Sequence, residues 1–335
     1  GNIFTGTMNF TVTVDNNFAT PDYNVVISSQ EELDEVIAGI NAGTSTATSL
    51  TLEADVDGTV LDFSGLENPT PLPVIISSPA EGETANTVVV ENLETAQTGE
   101  GVGAVTVEEG AKLVLSNSNL TSTGSDPRGL MVEKDAEVTV DGSTIDTHGS
   151  QYPRALQVNA EGAKVTVTNS TIKSGHYPIN MITSSGDAVV KVENTTIEGW
   201  SILNIWSSGN TFEFKNCTLK SLNDKTYNAD GWNDFAAFKF NTGAQNNTVT
   251  VTDCAVNVSS INGNCQFLND FTEPTGNVIS FDGGTIITGT DTNTYFDEPG
   301  IWYMNSGYAG FTLKYASSVT FAGDWADDGR NIDRY

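Results

Sequence analysis

The sequence predicts an all-β chain: a right-handed parallel β-helix of three-strand coils, about nine rungs long, with a short N-terminal capping helix. Two observations carry this expectation. An eight-residue phrase returns along the chain at a nearly constant step, and one position in it is held by Asn, Gly or Asp. A third agrees with them: Thr, Ser, Asn, Gly and Val dominate while Lys, Arg and Leu are sparse, which suits short strands and tight bends.

The phrase reads apolar-x-apolar-x-Asn/Gly-small-x-apolar. It occupies residues 113–120 (LVLSNSNL), 138–145, 165–172 (VTVTNSTI), 190–197, 212–219, 249–256 and 279–286, with fainter copies from Val88 and Leu313. From Val88 the starts advance by 25, 25, 27, 25, 22, 37 and 30 residues, the spacing of one solenoid coil with variable loops.

Each phrase is two alternating stretches joined at a bend, and the bend holds Asn92, Asn117, Gly142, Asn169, Asn194, Asn216, Asp253 and Gly283. These residue types tolerate the left-handed backbone of a one-residue corner. Stacked on successive coils, they are expected to form a structural ladder of side-chain amides bonded along the axis. A further apolar stretch precedes each phrase, at 104–107, 130–132, 156–158, 180–182, 203–205, 237–240 and 267–271, and supplies the third strand. Handedness follows from the general preference for right-handed parallel crossovers.

An open solenoid end exposes unpaired strand edges. Ser29-Gln30-Glu31-Glu32 reads as a capping box, and Leu33, Val36, Ile37 and Ile40 continue at helical spacing before Gly43. That helix is expected to lie across the first coil. Phe10, Val12, Val14, Val25 and Ile27 alternate as strands outside the repeat. The division is therefore residues 1–45, N-terminal strands and capping helix, and 46–335, β-helix with a C-terminal cap, all one structural domain.

The chain of 335 residues has 43 Asp and Glu against 14 Lys and Arg, a net charge of −29. That sign argues against nucleic acid and against an anionic membrane surface. No apolar run reaches the roughly 18 residues needed to span a bilayer. With 38% hydrophobic residues the chain has ample material for a core. Three Cys are too few for a disulfide scaffold.

The segment SSQEEL…VIAGINAGTSTATSLTL, followed by phrases ending in an Asn corner, resembles the pectin-lyase-like β-helix superfamily over roughly residues 25–320. In character it is most similar to bacterial surface adhesin-like members. The resemblance implies an exported protein, extracellular or on the outer surface of a bacterium. It leaves several functions open: a non-enzymatic adhesin or glycan-binding module, a polysaccharide lyase or glycoside hydrolase, or a structural stalk. The first is the leading expectation, with a polysaccharide or cell-surface glycan as partner.

In that superfamily the variable corner before the first strand, with that strand's outward face, forms the sugar cleft. Here those segments carry Arg128, Tyr152, Arg154, His176, Tyr177 and Trp200, and the longest insertion, 223–234, carries Tyr227 and Trp232. Tyr152, Tyr177 and Trp200 fall at nearly one phase and are expected to stack at the rung spacing of roughly 4.8 Å. Both histidines, His148 and His176, are placed in this corner, and Asn204 on the outward face. Flat rings beside amides and charges suit sugar C–H faces and hydroxyls. Against this stands the reading that the rings merely cover Pro-containing corners.

For catalysis the outward positions Met131, Gln157 and Asn204 supply no carboxylates, and Asn269-Asp270 is the one pair similar to a hydrolase strand. Within the enzymatic alternative, Arg154, His176 and Tyr177 are the best candidates. No cofactor and no metal site are expected, although Asp224, Asp230 and Asp234, and Asp324, Asp327 and Asp328, offer oxygens to Ca²⁺ without EF-hand spacing. Cys217 and Cys254 share the inward position held elsewhere by Ser118, Ser143, Ser170 and Thr195, as stacked free thiols or a disulfide.

Overall fold

The computed structural model describes residues 24–223, 236–260, 267–270, 276–289, 312–323 and 332–334. They form a parallel β-solenoid of three sheets, with ten, eleven and nine strands. Each coil visits the sheets in turn. Gly103–Val107, Lys112–Ser116 and Asn119–Ser125 make one coil; Arg128–Val132, Glu137–Asp141 and Thr144–Ser150 make the next. About eight turns are stacked this way, the arrangement expected of a right-handed parallel β-helix.

Register follows from the alternation in the phrase. In the second sheet Leu113, Val138, Val165, Val190, Phe212, Val249 and Ile279 lie in one column, rung on rung. None is more than 3% exposed. Slipping one strand by a single residue would put Thr139 or Lys191 into that column and its apolar residues into water, so the register is strongly specified.

All eight corner residues have left-handed backbone, with φ between 49° and 63°. Their side chains do not form the expected amide ladder: Asn194 reaches Asn169 only at 3.5 Å, while Asn92 and Asn169 donate to Asp62 and Asp141. The axial ladder runs one residue later. Ser118 Oγ accepts from Leu93 N–H, Ser143 Oγ from Ser118 N–H, Ser170 Oγ from Ser143 N–H and Thr195 Oγ1 from Ser170 N–H, at 3.0–3.2 Å. Each of these hydroxyls also donates to a carbonyl two residues back. The corner turns the chain, and the small residue after it satisfies the backbone N–H groups the turn leaves behind. Cys217 and Cys254 are both free thiols in this row, and Cys254 Sγ accepts from Cys217 N–H.

Helix α1 (Gln30–Asn41) caps the first coil. Ser29 accepts from Glu32 N–H, Glu32 reaches back to Ser28 N–H, and Leu33 and Ile37 enter the core. Its end residues treat the strand edge as a peptide would. Gln30 donates to Asp62 O and accepts from Asp62 N–H; Asn41 donates to Gly65 O and accepts from Glu67 N–H. Gln30 thus saturates the last residue of the edge strand Thr59–Asp62, and Asn41 holds the loop that follows it. The strand Asn24–Ile27, with Val25 and Ile27, is not outside the repeat: it pairs parallel with Ser49–Leu52 as the first member of the first sheet. Phe10, Val12 and Val14 lie outside the described residues. No helix among the described residues is long and apolar enough to cross a membrane.

Candidate functional site

The first sheet turns one row of residues away from the core. Register aligns Met131, Gln157, Asn180, Asn204 and Lys239 on successive coils, between inward residues such as Leu156 and Val158. Gln157, Asn180, Asn204 and Lys239 are nevertheless buried. Their amides are joined end to end. Asn241 Nδ2 donates to Asn204 Oδ1 at 2.7 Å, Asn204 Nδ2 to Asn180 Oδ1 at 2.7 Å, and Asn180 Nδ2 to Gln157 Oε1 at 3.4 Å. Gln157 Nε2 then donates to Asn159, whose own amide donates to Glu133, both at 2.6 Å. Every link points the same way and ends on a carboxylate, an arrangement in which each bond polarises the next.

Above this row lies a groove of about 420 Å³, with Tyr152, Arg154 and Tyr177 on one side and Ile182, Thr183 and Trp206 on the other. Asn180, Asn204, Lys239 and Asn241 also line it. Trp206 is 41% exposed, a large apolar surface at the groove's edge. Tyr152 is half-buried and reaches the groove from an unusual turn: Gln151 and Tyr152 both have left-handed backbone, φ 54° and 30°. For residues other than Gly this costs on the order of 1–3 kcal/mol each and is found where the surroundings hold it for a purpose.

Asp126 organises the cationic end. Its two carboxylate oxygens bind Arg128 Nη2 at 2.8 Å and Arg154 Nη1 at 2.5 Å. The Arg154 guanidinium also sits 5.7 Å from the centre of the Tyr152 ring. Burial draws the Arg154 guanidinium below its ordinary pKa, and Asp126 opposes that pull. The Nε atoms of both arginines are buried without a hydrogen-bond partner.

The aromatic residues do not stack as a simple ladder. Register places Tyr177 beside Arg154, not beside Tyr152. His176 is interposed: its ring lies 4.0 Å from Trp200, 4.0 Å from Tyr177 and 5.4 Å from Tyr152. Tyr177 and Trp200 are 6.4 Å apart. Trp200 and His176 are each 2% exposed, so they support the groove wall from behind and, with Arg128, do not line it. Both His176 nitrogens are buried without partners. Burial, then Lys239 and Arg154, hold its pKa well below the usual histidine value, so the ring is neutral.

His148 is not in this corner. It lies on the strand Thr144–Ser150 of the third sheet, exposed, 3.5 Å from Asp146. Asp270 is in register with the buried Phe240, and Asn269 with Lys239. Tyr227, Trp232 and the aspartates Asp224, Asp230, Asp234, Asp324, Asp327 and Asp328 lie outside the described residues. Among the described residues no group of three or more His, Cys, Asp or Glu is placed to hold a metal ion.

Trp206, Lys239, Asn180, Asn241 and Asp126 shape the site without being singled out by the sequence. The signal for Trp206 was available: Leu203 and Ile205 point inward, so strict alternation turns the next residue out. No family model matches the chain. No curated protein matches it in sequence.

Proposed function

We propose that this chain is a non-catalytic glycan-binding module, exported by a bacterium and built on a solenoid of the pectin-lyase-like kind. The ligand lies in the groove between Tyr152 and Trp206. One observation carries the reading: two accessible aromatic rings, one held on a costly backbone turn, flank a floor of oriented amides. Rings take the C–H faces of a sugar, and the partly exposed Arg154 guanidinium and the Thr183 hydroxyl take its hydroxyls or other oxygens, while the buried amides hold the floor beneath them in shape.

Binding is favoured over lyase or hydrolase chemistry by the condition of the candidate acid–base groups. Arg154 is ion-paired to Asp126, which favours its protonated form. His176 is sealed beneath three aromatic rings, away from any substrate in the groove. A glycan array of neutral and acidic polysaccharides tests the binding, and a reducing-end and unsaturated-product assay on the same polysaccharides tests the chemistry. Array signal without product supports the module; turnover would replace it with an enzyme, and silence in both would leave a stalk.

A further inference from the structure

A second groove, of about 570 Å³, adjoins the first, and Thr183 and Trp206 line both. Its character differs. Ser184, Ser207, Ser208 and Thr242 give it a hydroxyl-rich wall, and Lys134 and Glu161 line it from the two preceding coils.

The displacement between the two grooves has a definite direction. Within one coil the first groove takes Tyr177 and Asn180 and the second Ser184 and Gly186. The next coil contributes Asn204 to the first and Ser207 and Ser208 to the second. The one after contributes Lys239 and then Thr242 and Gly243. In each coil the chain passes from the first groove to the second as it runs along its strand and into the following corner. The two grooves therefore lie side by side across the solenoid, and the Trp206 indole stands between them.

Resting on the glycan reading above, we infer that these grooves form one bipartite site for an oligosaccharide laid along the strand direction, across the solenoid axis, with Trp206 as the shared wall. The strand Tyr177–Met181 alone covers four positions, about 13 Å at strand rise, before the chain turns into the corner that carries Ser184. That exceeds a single sugar ring, so occupancy of both grooves requires several linked units. The chemistry assigns the parts. The unit beside Tyr152 is held by ring stacking and the Arg154 guanidinium, and the unit beyond Trp206 by hydroxyl-to-hydroxyl hydrogen bonds. Ligands that fill only the first groove bind more weakly by whatever the second contributes.

The test is a chain-length series, one to six units, of β-1,4-linked glucose, mannose, xylose and galacturonic acid oligosaccharides, titrated against the full chain and against Thr242→Trp. Thr242 is exposed and lies in the second groove alone, so the indole fills that groove without disturbing the core. Thr242→Ala serves as the control for loss of the hydroxyl, and an unchanged melting temperature shows that each variant is folded. The expected result is affinity that climbs at least tenfold between short and long members of the series the protein binds. Thr242→Trp removes that gain while leaving the short members bound as before. Affinity that is flat with chain length, or a length gain that survives Thr242→Trp, overturns the bipartite site and leaves single-groove glycan binding intact. No binding of any member by the unmodified chain, with an empty glycan array, overturns both.

Discussion

Asn204 donates its side-chain amide to Asn180 at 2.7 Å, on the outward face of a parallel sheet, where both are buried. The pair is one link in a run of amides from Asn241 to Glu133, and Asn180, Asn204 and Asn241 of this run line the aromatic groove. A polar row buried on the outer face of a solenoid is expensive unless every group is paired, so its persistence ties stability to the site.

Asn204→Ala should therefore destabilise the chain although it removes no core residue. The Asn180 carbonyl loses the partner it has in Asn204, while the Asn241 amide keeps its bond to Ile205 O, and an orphaned buried polar group costs about 1–3 kcal/mol. A urea midpoint well below that of the unmodified chain checks this. An unchanged midpoint would mean that water replaces the missing links.

The corner makes a sharper prediction because it separates backbone from side chain. Asn169 has φ 51° and its amide reaches only Asp141 and, weakly, Asn194. Asn169→Gly should stay within a few tenths of a kcal/mol of the native stability, while Asn169→Ala should lose roughly 1–2 kcal/mol to the left-handed backbone. Equal losses would show that the amide, not φ, is what the position requires.

Cys254 occupies a hydroxyl position, and its sulfur accepts from Cys217 N–H at 3.3 Å and donates to Thr252 O at 3.1 Å. Thr195 and Thr285 perform the same task on other coils. Cys254→Thr is expected to be tolerated, whereas Cys254→Ala should cost about 1–3 kcal/mol by leaving Cys217 N–H unsatisfied. Thermal melts of the two variants under reducing conditions distinguish them.

His176 predicts a pH dependence of stability. Its pKa in the folded chain lies well below the usual value, through burial first and then Lys239 and Arg154, while Tyr152, Tyr177 and Trp200 pack against it. As pH falls below about 6.5, the unfolded chain binds a proton that the folded chain does not, so stability drops toward the lower folded pKa. The slope from this one group reaches about 1.4 kcal/mol per pH unit. His176→Phe should flatten it in urea titrations between about pH 5 and 7. A slope unaltered in that variant would assign the effect elsewhere.

Much of the fold was readable because the same physical demand recurs on every coil. Leu113, Val138 and Val165 repeat the inward column, and Asn117, Gly142 and Asn169 repeat the corner, so each coil confirms its neighbour. The site was less readable because it is where the repeat is broken. The positions of Tyr152, Arg154 and Tyr177 in one region were visible, but not that His176 would slip between the rings and bury Trp200. That depends on how the corners of different lengths fold back, which alternation does not encode. The axial ladder was likewise misplaced by one residue: abundance of Asn pointed to the corner, while the hydrogen bonds need a short hydroxyl on the inward side. The strand Asn24–Ile27 was legible from Val25 and Ile27 but was placed outside the repeat because it lacks the phrase, its place being fixed by pairing with Ser49–Leu52 alone.

The most direct measurement is isothermal titration of the strongest ligand from the glycan array against the unmodified chain, Tyr152→Ala and Trp206→Ala, with melting temperatures taken on the same samples. Both rings border the groove from opposite sides. If they hold a sugar, each truncation removes an aromatic anchor and weakens binding at least about tenfold, or 1.4 kcal/mol, without lowering the melting temperature in proportion. Unchanged affinity in both variants would contradict the account, because a glycan that ignores Tyr152 and Trp206 is not bound in this groove.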